Sequence, residues 1–142
     1  MIPPDVSVLT CTYDRPGMLA ECLASVRAQT HASWEHLVWD NGSTDPRVQD
    51  VLREAVRDPR VRVFRSERNI DQPARRWNDL IDRSVGRCIC FLDDDNTKDS
   101  IFLEALLGVL AADSALDAVT CGFREVREDG SVVENHSNFR TN

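Results

Sequence analysis

The run Cys88-Ile89-Cys90-Phe91-Leu92, followed at once by Asp93-Asp94-Asp95, limits the possible folds more than any other feature of the chain. Five apolar residues without alternation read as a strand buried on both faces, the kind found in a parallel sheet covered by helices. Three carboxylates then stand where that strand leaves the core, and ligands of such sheets bind at the carboxyl ends of the strands. Adjacent acids repel one another unless a cation lies among them. Hard oxygen donors of this kind suit Mg²⁺ or Mn²⁺ held jointly with a phosphate. Taken alone, the triplet also suits the positive end of a helix dipole.

The rest of the chain alternates in the way such a sheet requires. Val6 to Thr12 is rich in β-branched residues and predicts a strand; Met18, Leu19, Cys22, Leu23 and Val26 repeat at helical spacing up to about Gln29. Glu35 to Asp40 predicts a second strand, and Asp45-Pro46 supplies an N-cap and first turn for a helix carrying Val48, Val51, Leu52, Ala55 and Val56. A third strand is expected at Val61 to Phe64, and a helix from Pro73 with Trp77, Leu80 and Ile81 inward, ending near Gly86. After the acids come an apolar helix from Ile101 to Leu110, a fifth strand at Ala118 to Gly122, and a hairpin turning at Asp129-Gly130. The expected fold is α/β, a mostly parallel sheet with helices on both faces and a C-terminal β-hairpin. The polar stretch Asn135 to Asn142 has no periodicity and gives the expectation of a chain cut in mid-domain.

At 142 residues and 42% hydrophobic, the chain is sized for one domain. A net charge of -7 argues against a nucleic-acid partner, so anions must be held locally by a metal or a few arginines. Lys98 is the only lysine among 17 basic residues, a bias of GC-rich, bacterial genomes. Five cysteines, an odd number set mostly in apolar runs, read as reduced thiols of a cytoplasmic protein. The N-terminus lacks the pattern of a signal peptide, and no segment has the roughly 18 apolar residues of a membrane span.

Polar clusters fall at three strand ends: Tyr13-Asp14-Arg15, Asp40-Asn41 and Asp93-Asp94-Asp95. In an open α/β sheet those ends share one edge, so the clusters converge on one crevice. Each residue also has a plainer role. Tyr13 can cap the sheet edge, Asp40 can cap the turn at Gly42, and Trp34, Trp39 and Trp77 are more often packing residues than sugar platforms.

The segments VSVLTCTYDRPGMLAECLASVRAQT, WEHLVWDNGSTD and GRCICFLDDDN resemble, in order and spacing, the signatures of GT-A fold glycosyltransferases of family 2. The resemblance spans about residues 5–125, read as a Rossmann-like nucleotide-sugar-binding region, with the hairpin and polar tail at 126–142 preceding an acceptor half. It implies a hexosyltransferase-like, metal-dependent enzyme using a UDP, TDP or GDP sugar donor, with Mn²⁺ or Mg²⁺ and an acceptor it does not identify. Carried over by residue, Tyr13 packs near the base while Cys11 and Thr12 line the same edge. Asn41 stands where many members have a second Asp that accepts a hydrogen bond from the base, which an amide oxygen can also do. Asp40 belongs to the same nucleotide-sugar set. Asp93 and Asp95 are the outer acids of the Asp-x-Asp motif, Asp95 the leading metal ligand with Asp93 beside it, and Asp94 or Asp93 reaches the ribose. Arg75 or Arg76 contacts the donor, with Arg76 in the binding set. The same resemblance puts the catalytic base beyond Asn142.

Two other classes fit parts of the chain. Asp93-x-Asp95-x-Thr97 also matches the haloacid dehalogenase-like phosphatase pattern, but there the motif lies on the first strand and needs a later Lys that only Lys98 supplies. A non-catalytic nucleotide-sugar-binding fragment is the remaining alternative.

Overall fold

The computed structural model describes residues 2–127 and 129–136, which fall into two compact units, Met1–Ile101 and Phe102–Asn142. In the first unit, strands β1 (Val6–Thr12), β2 (Trp34–Asp40), β3 (Val61–Arg65) and β4 (Cys88–Phe91) alternate with helices α1 (Pro16–Arg27), α2 (Pro46–Ala55) and α3 (Pro73–Ile81). All strand pairs are parallel, in the order β3-β2-β1-β4. The α/β class and the parallel sheet expected from the alternation are both present.

Strand parity decides what each face buries, because successive side chains point to opposite sides. On β1 and β2 the odd positions Leu9, Leu37 and Trp39 form a core with Leu80 of α3, and Cys11, Phe64, Trp77 and Ile81 pack against it. The even position Thr10 faces α1, its hydroxyl 3.8 Å from Cys22 Sγ. Leu19, Cys22, Leu23 and Val26 of α1 are buried at the i, i+3, i+4, i+7 spacing of an inward stripe, whereas Met18, expected with them, is exposed. Asp45 caps α2 by accepting from Arg47 N. The Arg27 guanidinium donates to the carbonyls of Glu54 and Ala55, satisfying orphan groups at the end of α2.

β4 departs from the sequence expectation. Among the described residues it pairs only with β1, and Ile89 and Phe91 are exposed, so the apolar run is an edge strand and not one covered on both faces. Continuous hydrophobicity alone does not distinguish the two.

The second unit holds α4 (Phe102–Ala112) and an antiparallel hairpin of β5 (Phe123–Val126) and β6 (Val132–His136). Gly130 takes φ +82° in its turn, and Asp129 accepts from Ser131 N at 2.8 Å. The strand expected over residues 118–122 is absent: these residues are irregular, and extended structure begins at Phe123, where a partner strand exists. A β-prone pentapeptide gains little without a ladder to join. The polar tail from residue 137 lies outside the described residues.

Candidate active site

The order β3-β2-β1-β4 puts the topological switch point beside β1. The chain leaves β1 toward β2 and β3, then returns to pair β4 on the opposite side. A ligand crevice belongs at the carboxyl ends there, and the two strand ends are joined directly. The Thr12 hydroxyl donates to Asp94 Oδ2 at 2.7 Å. One turn below, the Thr10 hydroxyl donates to the Leu92 carbonyl at 2.9 Å, and the ladder continues through Leu92 N to the Leu9 carbonyl.

A cavity of about 250 Å³ opens at this point, lined by Cys11, Thr12, Tyr13, Arg15, Asn41, Arg76 and Asp94. Six of these were expected from the sequence, and they come from two strand ends, the acid loop and α3. Asp94 is buried beside two exposed neighbours, Asp93 and Asp95. Its Oδ1 accepts from Arg15 Nη1 at 3.2 Å, and the same nitrogen reaches Asp95 Oδ2 at 3.1 Å. Two carboxylates thus converge on a single cationic point.

Arg76 is 7% exposed. Nη1 pairs with Asp79 at 2.7 Å and the guanidinium lies 4.9 Å from the Trp39 ring centre. Its buried Nε has no hydrogen-bond partner among the described residues. A buried, unspent N–H is costly without a ligand, and this one belongs to a cation at a cavity wall. Cys11 offers no nucleophile, because burial first, and the charges of Asp93 and Asp94 next, push its thiol up to about 12.

Asp40, Asp93 and Asp95 do not line the cavity; Asp95 meets it only through Arg15. Asp40 is fully buried, accepting from Ser43 N at 2.8 Å, Gln49 Nε2 at 2.7 Å and Arg65 Nη1 at 2.6 Å. This carboxylate braces the turn after β2, the plainer role weighed for it. Asn41, one residue on, points to the other face and reaches the cavity.

Sequence reasoning brought the cluster Tyr13-Asp14-Arg15 to the crevice but gave a role in the site to Tyr13 alone. Arg15 is the only base in the cluster after β1 and lies across from the acids, a signal that charge complementarity could have supplied. Asp14 adopts φ +51°, and its carboxylate accepts from Thr44 N at 2.7 Å, Thr44 Oγ1 at 3.0 Å and Asp45 N at 2.8 Å. The Asp45 backbone N–H and the Thr44 groups hold that carboxyl below its ordinary range. Asp14 therefore ties the turn after β1 to the loop before α2, which fixes where Arg15 points.

No group of three or more His, Cys, Asp or Glu converges to cage a metal among the described residues. One or two carboxylates are what a hard divalent cation takes from a protein when phosphate oxygens complete its shell, and the exposed acids of the triplet suit that role.

Residues 7–141 match Glycosyl transferase family 2, and the chain belongs to that family. It is 35% identical over 135 residues to the uncharacterized protein y4gI of Sinorhizobium fredii, a match covering 94% of this chain and 15% of the relative. Among solved structures, the mannosyltransferase PcManGT of Pyrobaculum calidifontis in complex with GDP-Man and Mn²⁺ superposes with TM-score 0.72 at 22% identity, over 84% of this chain and 36% of the other. S. aureus TarS 1-349 in complex with UDP-GlcNAc gives TM-score 0.68 at 24% identity, over 76% and 31%. The chain thus spans well under half the length of these proteins. The phosphatase alternative is not favoured: the acid triplet follows the fourth strand of a family 2 glycosyltransferase fold, not the first strand of a phosphatase core.

Proposed function

We propose that this chain is the donor-binding part of a metal-dependent glycosyltransferase and seats a nucleoside-diphosphate sugar in the cavity between the ends of β1 and β4. The observation that carries the reading is the convergence of Cys11, Thr12, Tyr13, Asn41, Arg76 and Asp94 on that one cavity. Tyr13, partly exposed at the rim, offers its ring to the base. Asp94, already fixed by Thr12 and Arg15, is placed to accept from ribose hydroxyls. Arg76 is the cation that the cavity wall offers to the diphosphate.

Charge bears on the metal. Arg15 and Arg76 face Asp79, Asp93, Asp94 and Asp95, so a diphosphate approaches a locally negative surface. A further cation is needed to reverse that repulsion. Mn²⁺ or Mg²⁺, held by Asp95 and Asp93 with the phosphates, would neutralise the charge on the departing nucleotide. The bound donors and Mn²⁺ of the two structural neighbours support this choice for the class. The five free thiols fit a cytoplasmic setting, and no helix among the described residues is long and apolar enough to cross a membrane. We assign the general base that deprotonates the acceptor to residues beyond Asn142, in keeping with the greater length of the relatives.

Calorimetry with UDP, TDP and GDP, each with Mn²⁺ or Mg²⁺, tests the reading. At least one pair should bind and, at a hundredfold excess over its Kd, raise stability by about 2.7 kcal/mol. Asp94→Asn should weaken that binding at least about tenfold, the loss of one charge-assisted hydrogen bond. A folded protein that binds none of these nucleotides refutes the assignment.

A further inference from the structure

The end of β2 grips the segment 68–70 through two consecutive residues. We infer that Asn41 is a positioning residue: its amide is committed to that segment, so its effect on nucleotide binding passes through the cavity wall and not through a hydrogen bond to the base. The inference rests on the donor-site reading and concerns how one wall of that site is held.

The geometry is specific to an amide. Asn41 Nδ2 donates to Asn69 Oδ1 and to the Ile70 carbonyl, both at 3.0 Å, while Oδ1 accepts from Ile70 N at 3.3 Å. An asparagine side chain has two N–H donors and a carbonyl with two lone pairs. Here both donors and one lone pair are used, and the pairing to Ile70 N–H and C=O copies one rung of a β-ladder. The backbone N–H of Asn41 is also engaged, donating to the Thr12 carbonyl at 2.9 Å. One residue therefore joins the end of β1, the cavity and the segment.

Gly42 completes the seat. It takes φ +78°, and a Cβ there would stand 2.3 Å from the Arg68 carbonyl carbon and 2.6 Å from Asn69 N. The segment lies directly on the glycine and continues into α3, which carries Arg76. Fixing residues 68–70 therefore fixes how the Arg76 helix is entered.

This arrangement also accounts for asparagine, and not aspartate, at position 41. A carboxylate would face the Ile70 carbonyl and Asn69 Oδ1 with no hydrogen to offer. Asn69 can rotate its amide in response, but a backbone carbonyl cannot.

Two variants separate positioning from base reading, with amide exchange by NMR and calorimetry with UDP, CDP, GDP and ADP plus Mn²⁺ as measurements. Asn41→Ala should speed exchange of the Ile70 amide by on the order of tenfold, as expected for losing about one net hydrogen bond, whereas Asn41→Asp keeps an acceptor for that N–H and loses both donated bonds. Exchange of the Leu9 and Thr10 amides in β1 should stay protected, which shows the fold intact. Both variants should also weaken every nucleotide that the wild type binds, by a common factor of about three to ten. A residue that reads the base as an acceptor behaves differently: Asp keeps or improves affinity for one base, and Ala loses that base alone. That pattern overturns the inference, as does unchanged Ile70 exchange in Asn41→Ala or faster exchange with unaltered affinities. If the wild type binds no nucleotide, the donor-site reading fails, and Ile70 exchange alone decides whether Asn41 holds the segment.

Discussion

His36 should make this protein acid-labile by an amount that can be worked out from its surroundings. The ring, carried on β2, is fully buried, and burial first, with the nearby Arg27 charge second, lowers its pKa from 6.5 to about 3. Its Nε2 lies 2.9 Å from Thr10 Oγ1. Since Thr10 gives its only hydrogen to the Leu92 carbonyl, the His36 ring donates through Nε2–H, and burial keeps it neutral. The unfolded chain takes up a proton near pH 6.5 and the folded chain does not, so stability is full above pH 6.5 and falls as pH drops toward 3. At about 1.4 kcal/mol per pH unit, the loss between pH 7.5 and pH 5.0 is about 2 kcal/mol. That window lies above the range where most carboxylates titrate.

Urea unfolding at half-unit pH steps measures the slope, and His36→Gln should flatten it across the window whatever that variant costs overall. A ring-carbon titration by NMR provides a check that needs no variant: in the folded protein His36 should show no protonation down to pH 5. Equal slopes in wild type and variant, or a His36 midpoint above pH 5, would refute the reasoning.

Arg15→Ala should tighten Mn²⁺ binding by the nucleotide-free protein a few-fold, because the guanidinium that bridges Asp94 and Asp95 at 3.2 and 3.1 Å no longer competes for them. The half-exposed position of Arg15 keeps the expected change small; weaker or unchanged Mn²⁺ binding by calorimetry contradicts it. Gly42→Ala should cost at least about 1–2 kcal/mol in urea unfolding from the left-handed backbone alone, with the clash against Arg68 adding to it. A loss under about 0.5 kcal/mol, the scale of an ordinary surface change, means that segment 68–70 is not seated on that glycine.

Much of the fold was legible because its signals are local. The β-branched run Val6–Thr12 is β1 with unchanged bounds, and Asp45-Pro46 opens α2 with the capping bond that its side chain allows. What sequence did not supply is partnership. The run ending at Leu92 reads the same whether β4 has one neighbour or two, and residues 118–122 have strand composition but join no ladder among the described residues. Within the site, parity was a usable signal. With Leu37 and Trp39 facing α3, Asn41 must share their side and Asp40 the other, so only the amide could reach the cavity. Asp40 then meets Gln49 and Arg65. Arg15 was placed at the crevice but given no role, because its bridge to Asp94 spans 79 residues and depends on β4 lying beside β1.

The sheet order also sets how firmly each part of the site is held. Thr10, Thr12 and the Leu92 amide fasten the acid loop to β1, which is buried along almost its whole length. Those bonds run from the end of edge strand β4 to the buried β1, so Asp94 is braced against the core on one side. Segment 68–70 is held by one side-chain amide and a glycine seat at a strand end, which local fluctuation can release at far lower cost. Asp94 is thus preorganised before any ligand arrives, whereas Asp93 and Asp95 are exposed and the wall on the Asn41 side has room to adjust. A donor seated as proposed meets a braced Asp94 and an adaptable wall, so loosening that wall weakens all nucleotides alike.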